Sequence, residues 1–156
     1  MKKGISQKRG FSVLEVILAV ALFSIFSTTA VSFVLESMQV QAQASQFENA
    51  SLYAEDGLEK IRAVRDVSFD ELVDGSEYGL NFNAGKWELK NGSDESEIYK
   101  RIITIETAKR DGELNIVSED GADDLNMKKI IVDVSWKNAT GENVSTQLVT
   151  YLSRWK

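Results

Sequence analysis

Apolar and polar positions follow three different patterns along this 156-residue chain. From Val16 to Leu35 the pattern is an apolar run of twenty residues without one charge. At ~1.5 Å per residue it predicts a helix of about 30 Å, the thickness of a bilayer's hydrocarbon core. Farther on, Phe47, Ala50, Ala54, Leu58, Ile61 and Val64 recur at steps of three and four. That is the one-sided stripe of an amphipathic helix packed on another layer. No proline occurs anywhere, and no glycine lies between Gly10 and Gly57. Nothing therefore breaks the helix between the two patterns, and one helix of about 55 residues is expected, its first half in lipid.

After Asp74-Gly75 the period falls to two. Glu77–Phe82 and Lys86–Leu89 flank Asn83-Ala-Gly85, a hairpin signal. Asn91-Gly92 and the acidic run Ser93–Glu97 read as an exposed turn. Tyr99–Thr107 is rich in β-branched residues. In Met127–Trp136 the residues Ile130, Val132, Val134 and Trp136 point one way, and Asp133 and Ser135 the other. Asn138–Asn143 is a loop around Gly141. Val144–Trp155 has apolar residues on both faces, which predicts a strand that is central or covered by the helix. Neither a half-apolar sheet nor a striped helix hides its face alone. The fold class expected is α+β: a long N-terminal helix whose second half lies on an antiparallel sheet of about four strands.

Charge orients the apolar span. Lys2, Lys3, Lys8 and Arg9 give the first ten residues a charge of +4 with no acid. Basic flanks stay cytoplasmic, so residues 36–156 are expected on the outer side of the membrane. A secretory signal peptide would have a shorter apolar core followed by a small-residue cleavage site. Here the small residue at the charge-to-apolar junction, Gly10, precedes the core. Glu15 is a lone carboxylate inside the apolar stretch that opens at Phe11. A charge at that place is costly, and such residues usually have a function and a partner.

The order Lys8-Arg9-Gly10-Phe11-Ser12-Val13-Leu14-Glu15 followed by a long apolar helix resembles the leader of type IV prepilins and type II secretion pseudopilins. The segment Ala54–Asp66 with Phe69 and Leu72, and the closing run Val134-Ser-Trp136 to Leu148–Lys156, are similar to parts of prepilin-like proteins as well. The resemblance implies a pilin-like lollipop with four parts. Residues 1–10 are a leader that is removed; 11–35 form the transmembrane and polymerisation helix; 36–66 continue it; 67–156 form the exported sheet. It implies cleavage between Gly10 and Phe11 by a membrane prepilin peptidase, and methylation of the new amine on Phe11. It implies that Glu15 of an incoming subunit neutralises that amine on its neighbour. The implied partners are other pilin or pseudopilin subunits, the peptidase and methyltransferase, an inner-membrane platform with its assembly ATPase, and membrane lipid. The implied location is a single-pass inner-membrane protein that later joins a surface or periplasmic filament. The rival reading of the same residues is a monomeric, single-pass anchor carrying an extracytoplasmic binding module.

Composition narrows the chemistry. The chain has no histidine and no cysteine, which removes the commonest general base, the usual zinc ligands and any disulfide. No phosphate loop is present, and the chain is expected not to be an enzyme. Without the four leader cations, 14 basic residues face 24 acids, a side-chain charge of −10. That balance speaks against direct nucleic-acid binding.

Three lesser features leave alternatives open. Ser24, Thr28 and Ser32 lie four apart on one helix face. They either let stems approach closely in lipid or bond their own backbone. The acidic stretch Asp111–Asn126 holds Asp120, Asp123 and Asp124. It is either a calcium-holding loop, as in some pseudopilins, or a solvated turn; it matches no EF-hand spacing. No cofactor is otherwise expected. Trp87, Trp136 and Trp155 read as core or strand-pair aromatics rather than a sugar-binding face.

Overall fold

The computed structural model describes residues 10 and 12–155. Helix α1 runs Val13–Val67, 55 residues. The carbonyl of Ser12 accepts both opening bonds of the first turn, from the amides of Glu15 (3.0 Å) and Val16 (3.2 Å). At the other end Arg65 sits in the last turn, where the helix dipole favours a cation. Ser68 is extended (φ −159°, ψ 120°) and leads into a 3-10 turn at Phe69–Glu71.

Seven strands follow: β1 Gly75–Asn83, β2 Lys86–Asn91, β3 Asp94–Ser96, β4 Tyr99–Arg110, β5 Ile116–Val117, β6 Ala122–Lys137 and β7 Asn143–Ser153. They form one antiparallel sheet in the order β2-β1-β4-β6-β7, with β3 and β5 each paired to β4. The α+β expectation holds, but the sheet has more strands than the four or so expected. The two additions, β3 and β5, are three and two residues long. They exist because long β4 offers them a ladder, and segments so short carry no periodicity of their own. The β1–β2 hairpin closes through Ala84 (φ 49°) and Gly85 (φ 83°), the paired positive φ angles of a two-residue hairpin turn.

Contacts divide the chain into two compact units, Met1–Ala42 and Gln43–Lys156. In the second unit, α1 buries Ala50, Ala54, Gly57, Ile61 and Val64 against the sheet. The expected stripe is there, turned slightly: Gly57 replaces Leu58 at its centre, and Phe47 stays half exposed while its ring meets Trp136 edge-on at 6.3 Å. Ile130, Val132, Val134 and Trp136 of β6 face the helix, as their alternation predicts, beside Tyr99, Ile103 and Ile105 of β4. Of the two placements expected for the last strand, the central one is excluded, since β7 is an edge strand, while its inner face is covered by the helix. Leu148 and Leu152 reach the core from its helix side, and Val149 on the other face is 48 % exposed.

Candidate functional site

The first unit presents an uncovered apolar helix. Its most apolar window has a mean hydropathy of 2.2 and is 0 % buried. Phe23, Phe26 and Phe33 are each more than 70 % exposed. The helix is long and apolar enough to span a membrane. Glu15 is exposed in its first turn. Among the described residues it makes no ion pair and no side-chain hydrogen bond.

Local chemistry explains part of its position. Ser12 and Glu15 stand at the Ser-x-x-Glu spacing of a capping box, but the Glu15 amide bonds the Ser12 backbone carbonyl and the reciprocal side-chain bonds are not formed among the described residues. A carboxylate in the first turn also meets the positive end of the helix dipole, worth about 0.3–1 kcal/mol at an exposed site. Gly10 is exposed with nothing within 4 Å of where a Cβ would stand. Phe11 and the rest of the leader lie outside the described residues.

Two of the three stem hydroxyls are satisfied by their own helix. Ser24 donates to the Val20 carbonyl (2.8 Å), and Thr28 to that of Ser24 (2.5 Å). Thr29 does the same to Ile25 (2.9 Å). Ser32 makes no side-chain hydrogen bond among the described residues. In the acidic stretch Asp111 and Asp124 spend their carboxylates locally. Asp111 accepts from the amides of Glu113 and Asn115, and these bonds, with the Asn115 side chain foremost, lower its pKa. Asp124 accepts from Arg110 Nε (2.7 Å) and the Asn126 amide (3.0 Å). Asp123 pairs in register with Lys109, and Asp120 occupies a positive-φ turn (54°). Among the described residues no three acidic side chains group as a metal site. Of the tryptophans, Trp136 is core and Trp87 half-buried, but Trp155 is 63 % exposed with Arg65 stacked 4.1 Å from its ring.

The second unit holds a buried ion cluster that the sequence reading missed. Arg101 on β4 has a side chain only 1 % exposed. Its Nη2 donates to Asp94 Oδ2 (2.5 Å) and its Nε to Asp94 Oδ1 (3.3 Å), a two-pronged grip on β3. Its Nη1 donates to the Tyr53 carbonyl (2.7 Å) and to Asp56 Oδ2 (3.1 Å), both on α1. The guanidinium also lies 4.0 Å from the Tyr53 ring centroid. Gly57 makes room: a Cβ there would stand 3.0 Å from both Arg101 Cδ and Nη1. The Tyr53 hydroxyl closes the cluster on Asp94 (3.1 Å).

The electrostatics follow from burial. Burial pushes the Tyr53 hydroxyl up to about 12; the Arg101 charge opposes that shift, and Asp94 adds to it. Burial works against the Arg101 charge, but hydrogen bonding to Asp94 and its negative charge outweigh it, and the pKa is raised. For Asp56, burial is outweighed by hydrogen bonds from Lys60 and Arg101, which lower its pKa. No buried side-chain nitrogen or oxygen among the described residues lacks a partner. The cluster therefore joins helix, β3 and β4.

Comparison with protein-family models, with curated proteins and with solved structures finds no match for this chain. The architecture itself, a long N-terminal helix with an apolar first half and a second half on an antiparallel sheet, is consistent with a pilin-like fold.

Proposed function

We propose that this protein is a structural subunit of a type IV pilus or of a type II secretion-like pseudopilus. The observation that carries this reading is the uncovered apolar helix with one carboxylate at its head, directly after Lys-Arg-Gly10. Removal of residues 1–10 by a prepilin peptidase leaves an ammonium on Phe11 within the apolar zone, and a methyltransferase modifies that amine. A charge in a low-dielectric medium requires an opposite charge. Glu15 of the incoming stem supplies it, and a stem placed out of register leaves two charges unpaired. The desolvation cost thus becomes a register for assembly.

In this reading the protein performs no catalysis. It is the substrate of the peptidase and methyltransferase, and a platform protein and assembly ATPase draw it from the inner membrane into the filament. The stems form the filament interior and the sheet units its surface.

Glu15→Ala is expected to leave leader removal largely intact and to abolish incorporation into filaments. The check is an immunoblot of processed protein in membrane and sheared-filament fractions. Processed Glu15→Ala found in filaments at the wild-type level would remove the register role, and wild-type protein that is missing from the filament fraction would favour the monomeric anchor.

A further inference from the structure

The two edges of the sheet are built differently. β2 has six residues and carries Lys86, Glu88 and Lys90. β7 has eleven, Asn143-Val-Ser-Thr-Gln-Leu-Val-Thr-Tyr-Leu-Ser153, with no charge, no proline and no glycine. Its register against β6 runs unbroken from Lys137↔Asn143 to Met127↔Ser153, without a bulge. Among the described residues, no backbone hydrogen bond reaches β7 from its other side. A long edge strand presents a row of unpaired amide and carbonyl groups. Soluble proteins blunt such edges with charges, proline, bulges or a covering segment. β2 has the first of these; β7 has none of the four.

Resting on the filament reading above, we propose that β7 is an assembly edge and that β2 of a neighbouring copy occupies it. Strand direction selects this occupant. The path β2-β1-β4-β6-β7 is antiparallel at every step, so its two outer strands run the same way. Two sheets related by a translation side by side bring β7 against the next β2 as a parallel pair. Antiparallel β7–β7 pairing is self-complementary and closes at two copies, so it cannot extend a filament.

The faces match under that arrangement. Trp87 and Leu89 of β2 pack on the core side, as do Val144, Leu148 and Leu152 of β7. The apolar rows of the two strands therefore continue one another. On the opposite face Lys86, Glu88 and Lys90 meet Ser145, Gln147, Val149 and Tyr151, where no like charge opposes them. The contact joins two different surfaces of one protein, and such head-to-tail contacts extend into open helical arrays when the rotation does not close.

The chain has no cysteine, so disulfide mapping has no background. Gln147→Cys is combined in full-length protein with Lys86→Cys, Glu88→Cys or Lys90→Cys in turn, and assembled filaments are oxidised. A stem variant, Phe23→Cys, is oxidised in parallel. Two cysteines bridge only when their Cα atoms lie within about 7 Å. The expected result is a ladder of multimers from one of the three pairs, absent from each single-cysteine variant. Adding Val149→Lys, at a half-exposed position, is expected to abolish that ladder while the circular dichroism stays unchanged. Dimers from Gln147→Cys alone would overturn the proposal in favour of β7 self-pairing. Multimers from the stem cysteine with none from any head pair would overturn it and leave the filament reading standing. Absence of cross-links from every head pair would overturn it whatever the stem cysteine does, and failure of the wild-type chain to yield any filaments would overturn the filament reading as well.

Discussion

Arg101 is the residue on which the second unit turns. A guanidinium removed from water costs several kcal/mol unless acceptors surround it. Here Asp94, Asp56 and the Tyr53 carbonyl do so from three directions. Asp94→Ala removes the two-pronged partner and leaves a buried cation with one half-exposed carboxylate. The expected loss is about 3 kcal/mol of unfolding free energy, measured by denaturant titration of the detergent-solubilised chain. An unchanged midpoint would mean that Asp56 alone satisfies Arg101. Legibility differed sharply at this scale. Glu15 stands out in the sequence because a single charge contrasts with its immediate neighbours. Asp94 lies in an acidic run that looks like a solvated turn, and its partner Arg101 is one cation of an ordinary alternating strand. Only the long-range fold brings them together, so neither residue announces the pair.

At the scale of elements, α1 was the most legible part, since an unbroken apolar run and a stripe at helical spacing coexist without a proline. The centre of the stripe shifted because of Gly57. Its place among good helix formers was noticeable, at a cost of about 1 kcal/mol relative to alanine, but its reason lies on β4. Gly57→Ala poses two opposed effects. Alanine gains that helix propensity, while its methyl would crowd Arg101 at 3.0 Å. Arg101 is held by its own hydrogen bonds and yields poorly, and overpacking of this kind costs about 1–3 kcal/mol. A net fall in Tm of about 5 °C is expected; a rise would show that Arg101 relaxes freely. The sheet was legible where alternation is long, as in β4 and β6. β3 and β5 were missed because their pairing is granted by β4. For β7, apolar residues on both faces left a central and a helix-covered strand open; the helix covers Leu148 and Leu152, while Val149 on the outer face and the free edge stay open.

Across the whole molecule, the two units make opposite use of their apolar residues. Gln43–Lys156 turns Ile61, Ile103, Ile105, Ile130 and Val132 inward, each 1 % exposed or less. Met1–Ala42 leaves its apolar window wholly uncovered. An uncovered apolar surface of that size marks a membrane or protein contact. The filament account assigns it both in succession: lipid before assembly, neighbouring stems after it. In that account the succession begins with a cut between Gly10 and Phe11, whose new amine would give Glu15 its counter-charge. The intact-protein mass, taken from cells that contain a prepilin peptidase and from cells that lack it, tests this directly. The account predicts loss of the first ten residues and one methyl group added at Phe11 in the first case, and the full chain in the second. A full-length chain beginning at Met1 in both would contradict it.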